Sequence, residues 1–370
     1  MVTGWEPSRR HKQGKVVGYR GAYFGPDGRR RWVSAKTKSE CWRVLRQAMS
    51  DADRGVLPGP ANLTVEQYLE SWLGDIEGTI RRHTYEQYKS VVGKHLIPEI
   101  GKTKLKHLSR PAIRKLYRER KQTGLSSRTV EYIHVFLHKA LKDAAEDGLI
   151  STNPAQGLKL PQRDAKETRA LNPEQVGALL EAAREDRLEA LYVVALHTGL
   201  RRGELLALRW NDVDFEKGTL RVDESLDQHG TFHAPKRKDS RRTLGLTPVS
   251  LVALKAHRAH QNKERLKVGE RWEDNGLVFP NTVGRPMNPS NLYRREFQPL
   301  LERAGLAGEG FKCHFLRHTF ATTLAANGVH PSTAQKLLGH MDIRMTLAIY
   351  THATDDMQDA AVDAISEAFS

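Results

Sequence analysis

One apolar stripe limits what the middle of this chain can fold into. Within residues 128–148, apolar side chains recur every three or four positions, at Val130, Ile133, Leu137, Leu141 and Ala144. This spacing puts them on one face of an α-helix, and Gly148 can supply the left-handed residue that ends it. The stripe therefore predicts a long helix whose apolar face is covered by other helices.

Two more helix starts are predicted upstream of the stripe. The segments Thr64 to Gln67 and Thr84 to Gln87 both have capping-box spacing, in which two side chains satisfy free backbone amides. Before them, Arg54 to Pro60 contains the glycine and prolines of a linker. We therefore expect residues 61–165 to form a helical bundle, separate from what precedes it.

The first 60 residues have a different pattern. The segments GKVVGYRGAYF and RRRWVSA resemble two strands, joined by a tight turn at Gly25-Pro26-Asp27-Gly28. Ser39 is a candidate cap for a following helix, with Cys41 and Leu45 on its apolar face. We predict a small ββα-like unit with a basic open face, suited either to phosphates or simply to solvent.

A third unit is expected over residues 166–370. Asn172-Pro173-Glu174-Gln175 has a cap, a first-turn proline and a boxed glutamine in order. The segments TLRVDES and RRTLGL have β character, while helical patterns surround them. The fold class is thus multidomain, ending in a mixed α+β, mainly helical unit.

Composition restricts the classes of partner. The 370 residues carry a formal net charge of +15 and favour a polyanion. No apolar run is long enough to cross a bilayer and the start lacks a signal-peptide core, so we expect a cytoplasmic protein without a membrane partner. Cys41 and Cys313 are far apart and suggest neither a disulfide framework nor a zinc site.

Four segments in the third unit share one chemical purpose: HTGLRRGELLALRW, APKRKDSRRTLGL, HFLRHTF and LLGHMDIRMTLAIYTH. Together they offer arginines, a lysine and histidines to surround a phosphodiester, and a tyrosine oxygen as nucleophile. Attack on a phosphodiester adds negative charge, and the planar fork of arginine suits the oxygens that carry it. His314 and Arg317 are three residues apart, so a helix would place both on one face.

In order, spacing and residue type, these segments closely resemble the tyrosine recombinase family of phage and mobile-element integrases. The resemblance implies six catalytic residues: Arg201, Lys236, His314, Arg317, His340 and Tyr350. The lysine match is looser, because Lys238 lies two residues away on the same strand face, and Gly245 stands where family members often have proline. Glu204 is either a hydrogen-bonding partner of Arg201 or an ordinary surface charge.

The resemblance also implies what the protein does. Tyr350 would attack a scissile phosphate, leaving a 3′-phosphotyrosyl link and a free 5′-hydroxyl, and strands would exchange through a Holliday junction within a homotetramer. Residues 1–60 would be an arm-type DNA-binding domain, 61–165 the core-DNA-binding domain and 166–370 the catalytic domain. The partners would be double-stranded attachment sites and, in some reactions, accessory DNA-bending or excision factors.

Other functions remain open from the sequence. A type IB topoisomerase uses similar tyrosine chemistry as a monomer, and an inactive recombinase fold could serve as a sequence-specific DNA-binding regulator. A thiol protease is disfavoured, because Cys313 and His314 are adjacent and would point about 100° apart on a helix. Asp212 and Asp214 lack further acids nearby, so we expect no metal and no cofactor.

Overall fold

The computed structural model describes residues 5–10, 16–25, 28–53, 62–162, 170–234 and 241–350. It divides into two compact units, Met1–Lys166 and Glu167–Ser370. The predicted linker, Arg54 to Pro60, lies outside the described residues.

The first unit begins with an antiparallel sheet in the order β1-β2-β3, formed by Trp5–Arg10, Val16–Phe24 and Arg30–Ala35. The predicted hairpin is confirmed as β2 and β3, and Gly28 has the positive φ of its turn, 70°. Pro26 and Asp27 lie outside the described residues. The strand β1 was not predicted, so the ββα-like description is wrong by one strand.

Helix α1 (Lys38–Asp53) packs on this sheet. Its buried residues Cys41 and Leu45 were predicted, and Leu45 lies so close to Gly21 that a side chain there would meet it at 2.9 Å. The predicted cap is wrong. The side chain of Thr37, two residues before Ser39, accepts the backbone hydrogen bond of Glu40.

The remaining elements of the first unit are helical: α2 (Val65–Ile76), α3 (Arg82–Val91), a π-helical turn (Val92–Leu96), α4 (Ile97–Ile100), a 3₁₀ turn (Leu105–His107), α5 (Arg110–Gln122) and α6 (Ser127–Glu146). The five predicted stripe residues are all buried on α6, which Gly148 follows at a φ of 70°. They pack with α2 and α5 residues such as Leu69 and Ile113 in one apolar cluster.

The two predicted capping boxes of this bundle have different outcomes. Thr64 and Gln67 form both hydrogen bonds of the box at the start of α2. The prediction at Thr84 is wrong, because α3 begins at Arg82. Its N-cap residue is Arg81, three positions before Thr84, and Arg81 makes no side-chain cap. A capping-box pattern therefore also occurs inside a helix, where it forms no cap.

The second unit combines short strands with longer helices. Its helical elements are α7 (Pro173–Ala182), α8 (Glu189–Thr198), α9 (Arg202–Ala207), α10 (Pro248–Val268), α11 (Pro289–Asn291), a π-helical turn (Leu292–Phe297), α12 (Gln298–Arg303), α13 (His314–Ala326), α14 (Pro331–Leu338), α15 (Ile343–Tyr350), and 3₁₀ turns at Trp210–Asp212 and Gly269–Arg271. Its strands are β4 (Val213–Asp214), β5 (Thr219–Val222), β6 (Ser225–Leu226), β7 (Phe232–His233) and β8 (Arg242–Gly245).

The β segments predicted from TLRVDES and RRTLGL are confirmed as β5 and β8, which pair antiparallel in a sheet of order β4-β5-β8. The box at Asn172 is confirmed at the start of α7. Helix α8 is buried along nearly its whole length, and α10 and α13 pack against it. This buried helix ends at the site described next. Among the described residues, no helix is long and apolar enough to span a membrane.

Candidate active site

The end of α8 places the first predicted arginine. Helix α8 stops at Gly199, whose φ of 60° is the left-handed conformation that glycine adopts most readily. A side chain at Gly199 would also come within 2.3 Å of the Phe320 ring. Arg201 follows as the residue that caps α9, so this tight turn fixes where its backbone leaves the buried helix.

Arg317 lies in the first turns of α13 and is almost fully buried, with 3% of its surface exposed. Its two terminal nitrogens donate to the carbonyl oxygens of Gly199 at 2.7 Å and Leu338 at 2.6 Å. Burial first, and then the charge of Arg201, lower the pKa of Arg317 to about 9, so the group stays protonated at neutral pH.

Three guanidinium groups converge on the end of α14. Successive carbonyl oxygens accept one bond each: Leu337 from Arg242 Nε at 2.9 Å, Leu338 from Arg317 Nη2 at 2.6 Å, and Gly339 from Arg201 Nη2 at 2.8 Å. Carbonyls at a helix C-terminus lack intrahelical donors and carry partial negative charge, so they suit cations. The result is a concentrated positive site immediately before His340.

Glu204 connects two of these arginines. Its carboxylate accepts from Arg201 Nη1 at 2.9 Å and from both terminal nitrogens of Arg242, at 3.2 and 2.8 Å. The residue is only 8% exposed. Burial acts to raise its pKa, but the hydrogen bonds and charge of Arg242 outweigh this, so the pKa is lowered and the carboxylate stays ionised.

The two predicted histidines are neutral at neutral pH. Burial, followed by the positive charges around them, lowers the pKa of His314 and of His340 to about 4 each. His340 Nδ1 lies 2.9 Å from the hydroxyl oxygen of the buried Thr346. His314 lies edge-on to His318, with ring centroids 4.6 Å apart.

Tyr350 is placed differently from the other predicted residues. It ends α15 and packs with Ala325 and Ala334 in a small apolar cluster, with 7% of its surface exposed. Its hydroxyl donates a 2.6 Å hydrogen bond to the carbonyl oxygen of Val329. Burial raises the pKa of the phenol. The nucleophile predicted from sequence is therefore docked between α13 and α14.

The structure thus brings Arg201, Arg317 and His340 together at the end of α14, where the two arginines bond the carbonyls of Gly339 and Leu338. His314 lies on α13 with Arg317, and the charges of both arginines lower the pKa values of both histidines. Lys236 and Lys238 lie outside the described residues.

Sequence reasoning missed two residues of the site, Arg242 and Thr346. Arg242 stands beside Arg241 in RRTLGL, and nothing in this local pattern distinguishes the two. The distinction comes from the strand, because Arg241 is exposed while only 9% of the Arg242 side chain is exposed. Thr346 lies six residues after His340, and no helical or strand periodicity in the sequence indicates that the two side chains meet.

The residues considered for other chemistry have structural contacts. The Cys313 thiol packs against the apolar core, and burial raises its pKa to about 11, which disfavours a reactive thiolate. Asp212 accepts a hydrogen bond from the backbone amide of Arg209, and Asp214 accepts hydrogen bonds from those of Glu216 and Lys217. Across the described ranges, no group of three or more His, Cys, Asp or Glu side chains is arranged to hold a metal.

Comparison with known proteins identifies the class that this fold and site define. Residues 169–357 match the phage integrase family, and residues 64–120 match the N-terminal SAM-like domain of phage integrases. The chain is 30% identical over 357 residues to a XerC-like tyrosine recombinase from Caldanaerobacter subterraneus subsp. tengcongensis, covering 90% of each protein. It is 32% identical over 338 residues to an integrase of Streptomyces ambofaciens, covering 88% of this chain and 86% of the relative.

Solved structures agree on the fold. The integrase of transposon Tn1549, in complex with transposon right end DNA, superposes with a TM-score of 0.70 at 24% identity, covering 82% of this chain and all of the other. A lambda integrase dimer bound to a core site gives a TM-score of 0.57 at 19% identity, covering 78% and 95%. The chain belongs to the phage integrase family, and it is therefore a tyrosine recombinase.

Proposed function

We propose that this recombinase cuts and rejoins double-stranded attachment sites through a covalent tyrosine intermediate. The observation that carries the proposal is the convergence of Arg201 and Arg317 on adjacent carbonyls at the end of α14, directly before His340. Such a cluster costs free energy by mutual repulsion, and an anionic phosphate entering beside it relieves that cost. Negative charge increases on the phosphate oxygens as the pentacoordinate intermediate forms. Positive groups that are fixed before the reaction begins stabilise this charge.

Each residue has a role in the proposed step. The phenol oxygen of Tyr350 attacks the phosphorus, a new bond forms between them, and the bond from phosphorus to the 5′ oxygen breaks. His314 assists transfer of the phenol proton away from Tyr350, and back to it when the strands are rejoined. Lys236 gives a proton to the departing 5′ oxygen, with Lys238 as the alternative donor. The 5′-hydroxyl of another duplex then attacks the phosphotyrosine. The bond from phosphorus to the Tyr350 oxygen breaks, and the strands are joined.

The remaining cations stabilise the charged intermediate. The Arg201 side chain is 39% exposed, so part of its guanidinium stays open to a nonbridging oxygen. Because Thr346 engages Nδ1, His340 would reach the phosphate through Nε2. Tyr350 must first leave its bond to Val329, so binding of DNA has to supply the free energy that releases the phenol.

We further propose that residues 1–60 bind arm-type sites and that residues 61–165 bind the core site. In the first region, Trp32 on β3 is 43% exposed, with the Arg20 and Arg30 guanidinium groups 4.7 and 4.8 Å from its ring centroid. In the second, basic residues of α5 and Lys159 line a cavity of about 530 Å³. Positive side chains beside an aromatic surface are suited to a nucleic-acid backbone.

Strand exchange between two duplexes requires four active sites, so the proposal implies a homotetramer on DNA and a Holliday junction intermediate. Accessory DNA-bending or excision factors would select the direction of the reaction. The solved structures of related integrases with DNA support a duplex as the substrate. In a bacterial host that duplex lies in the cytoplasm, so the bound protein would be nucleoid-associated.

The proposal is tested by trapping the covalent intermediate. Selection from a random double-stranded pool identifies the preferred binding sequence, and nicked duplexes of that sequence then trap a protein that cleaves. The full chain should form an adduct that survives denaturation, while Tyr350→Phe binds the same duplex and forms none. Adduct formation by the phenylalanine variant would refute the assignment of the nucleophile.

The same reagents separate the alternative functions. Relaxation of supercoiled DNA by a monomer, without recombination between two sites, would indicate a type IB topoisomerase. Sequence-specific binding by a full chain that forms no adduct on any nicked position would indicate a DNA-binding regulator. Recombination between two sites, with loss of activity in Tyr350→Phe, supports the integrase.

A further inference from the structure

We infer that Arg242 is a positioning residue for the cleavage reaction: it fixes Arg201 and the end of α14 from behind and makes no contact with DNA. The inference rests on the proposed function, since its effect is read in the cleavage step. It is carried by the contacts of one buried side chain.

The donors of Arg242 are committed to protein partners. Nε donates to the Leu337 carbonyl, while Nη1 and Nη2 donate to the two carboxylate oxygens of Glu204. With 9% of the side chain exposed, little of the guanidinium can reach a phosphate. Arginine forms such bidentate pairs with a fixed planar fork, so this side chain has one well-defined position.

Glu204 transmits that position to Arg201. One of its carboxylate oxygens accepts from Arg242 Nη1 and Arg201 Nη1, and the other accepts from Arg242 Nη2 and the Arg201 backbone amide. Without Arg242, the buried carboxylate loses two of four donors and can rotate. The Arg201 guanidinium would then lose the fixed orientation that catalysis requires.

The second connection runs through α14. Arg242 holds the Leu337 carbonyl, next to the carbonyls that Arg317 and Arg201 hold. Gly339 lies against Arg242, since a side chain there would come within 2.8 Å of Nη1. His340 is the next residue. The guanidinium of Arg242 therefore supports both the arginine and the histidine that would act on the phosphate.

The placement of Arg242 on β8 gives this support a rigid base. Arg242 is paired with Val222 of β5, whose side chain is buried in the core of the unit. Arg242 is the first residue of β8, at the edge of the β4-β5-β8 sheet, and the pairing with β5 holds the base of its side chain more firmly than a loop does.

The test compares Arg242→Gln and Arg242→Lys with Arg285→Gln. Arg285 also pairs with a glutamate, Glu273, but on the surface, so its variant controls for loss of an arginine–glutamate pair. Single-turnover cleavage of the nicked duplex and affinity for the intact duplex are both measured. A misplaced catalytic group lowers a rate by about 100-fold, and we expect Arg242→Gln to cleave that much more slowly with unchanged affinity for DNA.

Lysine keeps the charge but cannot bridge Glu204 and Leu337 at once. Arg242→Lys should therefore cleave about tenfold faster than Arg242→Gln and still more slowly than the parent chain. Arg285→Gln should cleave like the parent chain. In an Arg201→Ala background, Arg242→Gln should lower the cleavage rate by a much smaller factor than it does in the parent chain, because Arg242 acts through Arg201. A full, independent loss in that background would overturn the inference, as would normal cleavage by Arg242→Gln.

A measurement without DNA separates this inference from the proposed function. In hydrogen exchange by mass spectrometry, peptides covering the end of α14 and Gly339 should exchange faster in Arg242→Gln than in the parent chain. Peptides from α10 should not change. If the parent chain cleaves no DNA but exchange changes as stated, the proposed function fails and the positioning contact stands. Unchanged exchange at α14 refutes the contact.

Discussion

The hydroxyl of Tyr350 donates a 2.6 Å hydrogen bond to the carbonyl oxygen of Val329, in the segment between α13 and α14. The ring is nearly covered, and burial raises the pKa of the phenol. In this conformation the phenol donates its proton to a hydrogen bond within the protein. Attack on DNA requires that the hydroxyl leave Val329 and instead face a proton acceptor and the scissile phosphate.

Tyr350→Phe should lower stability as well as abolish cleavage. The substitution removes the donor of a part-buried hydrogen bond to the Val329 carbonyl, and such a bond contributes about 0.5 to 1.5 kcal/mol. Urea unfolding of the two proteins measures the difference. Equal midpoints would indicate that the hydroxyl is not bonded to Val329 in solution.

Arg201→Ala and Arg317→Ala should differ in stability although both lose activity. Cleavage should fall by about 10² to 10³ in each, as for loss of a donor to a developing charge. Arg317 is 3% exposed and bonds two carbonyls, so its removal should also cost about 1 to 3 kcal/mol per orphaned carbonyl. The side chain of Arg201 is 39% exposed and its bonds to Glu204 and Gly339 are part-buried, so its variant should lose less stability than Arg317→Ala. Undiminished cleavage by either variant would contradict its proposed role.

Gly339→Ala should slow cleavage, whereas Gly305→Ala should not. Both glycines follow helices with positive φ, 61° and 70°, so each alanine costs about 1 to 2 kcal/mol of backbone strain. Only at Gly339 does the added carbon meet Arg242, at 2.8 Å, while nothing lies within 4 Å at Gly305. The Arg242 guanidinium cannot move away without breaking its bonds. Parallel unfolding and cleavage assays separate strain from displacement.

Stability should fall as pH is lowered from 6.5 towards 4. His314 and His340 have folded pKa values of about 4, below their ordinary value of 6.5, so the unfolded chain binds more protons in this range. Their contribution is present above pH 6.5 and lost as pH falls towards 4. Allowing for partial solvent exposure, each should contribute roughly 1 to 2 kcal/mol. Replacing either histidine with glutamine should flatten the decline, measured by urea unfolding at several pH values.

DNA binding should weaken steeply with salt, because each neutralised phosphate releases counterions. Arg114 and Arg118 on α5 line the cavity proposed to bind the core site. If this surface contacts the DNA backbone, Arg114→Gln and Arg118→Gln should each reduce the slope of log affinity against log salt by about 1. Lys142→Gln on the exposed part of α6 serves as a control, since Lys142 pairs with Glu146 there. Slopes that are the same for all three variants would rule out this surface.

Local patterns predicted the parts of the fold that local forces decide. The caps at Thr64 and Asn172 and the placement of His314 and Arg317 on one helix follow from spacing alone. The misplaced start of α3 shows the limit, because the helix begins after Arg81 without a side-chain cap, so no local cap pattern marks its first residue.

The contacts of the site are of another kind. The bond from Arg201 to Gly339 joins residues 138 positions apart, and that from Arg242 to Leu337 joins residues 95 apart. A resemblance to known sequences could nominate Arg201, but the burial of Arg242 arises from how β8 meets α14 in space. No short pattern contains that information.

The atoms that hold the three arginines at the end of α14 belong to the main chain, which every amino acid supplies. The side chain of Leu337 packs against the apolar core, so other apolar helix-forming residues can replace it without altering the acceptors. Shortening or lengthening the helix by one residue would rotate all three carbonyls. Engineered variants of this recombinase should consequently tolerate apolar substitutions at this position and lose activity with insertions or deletions there.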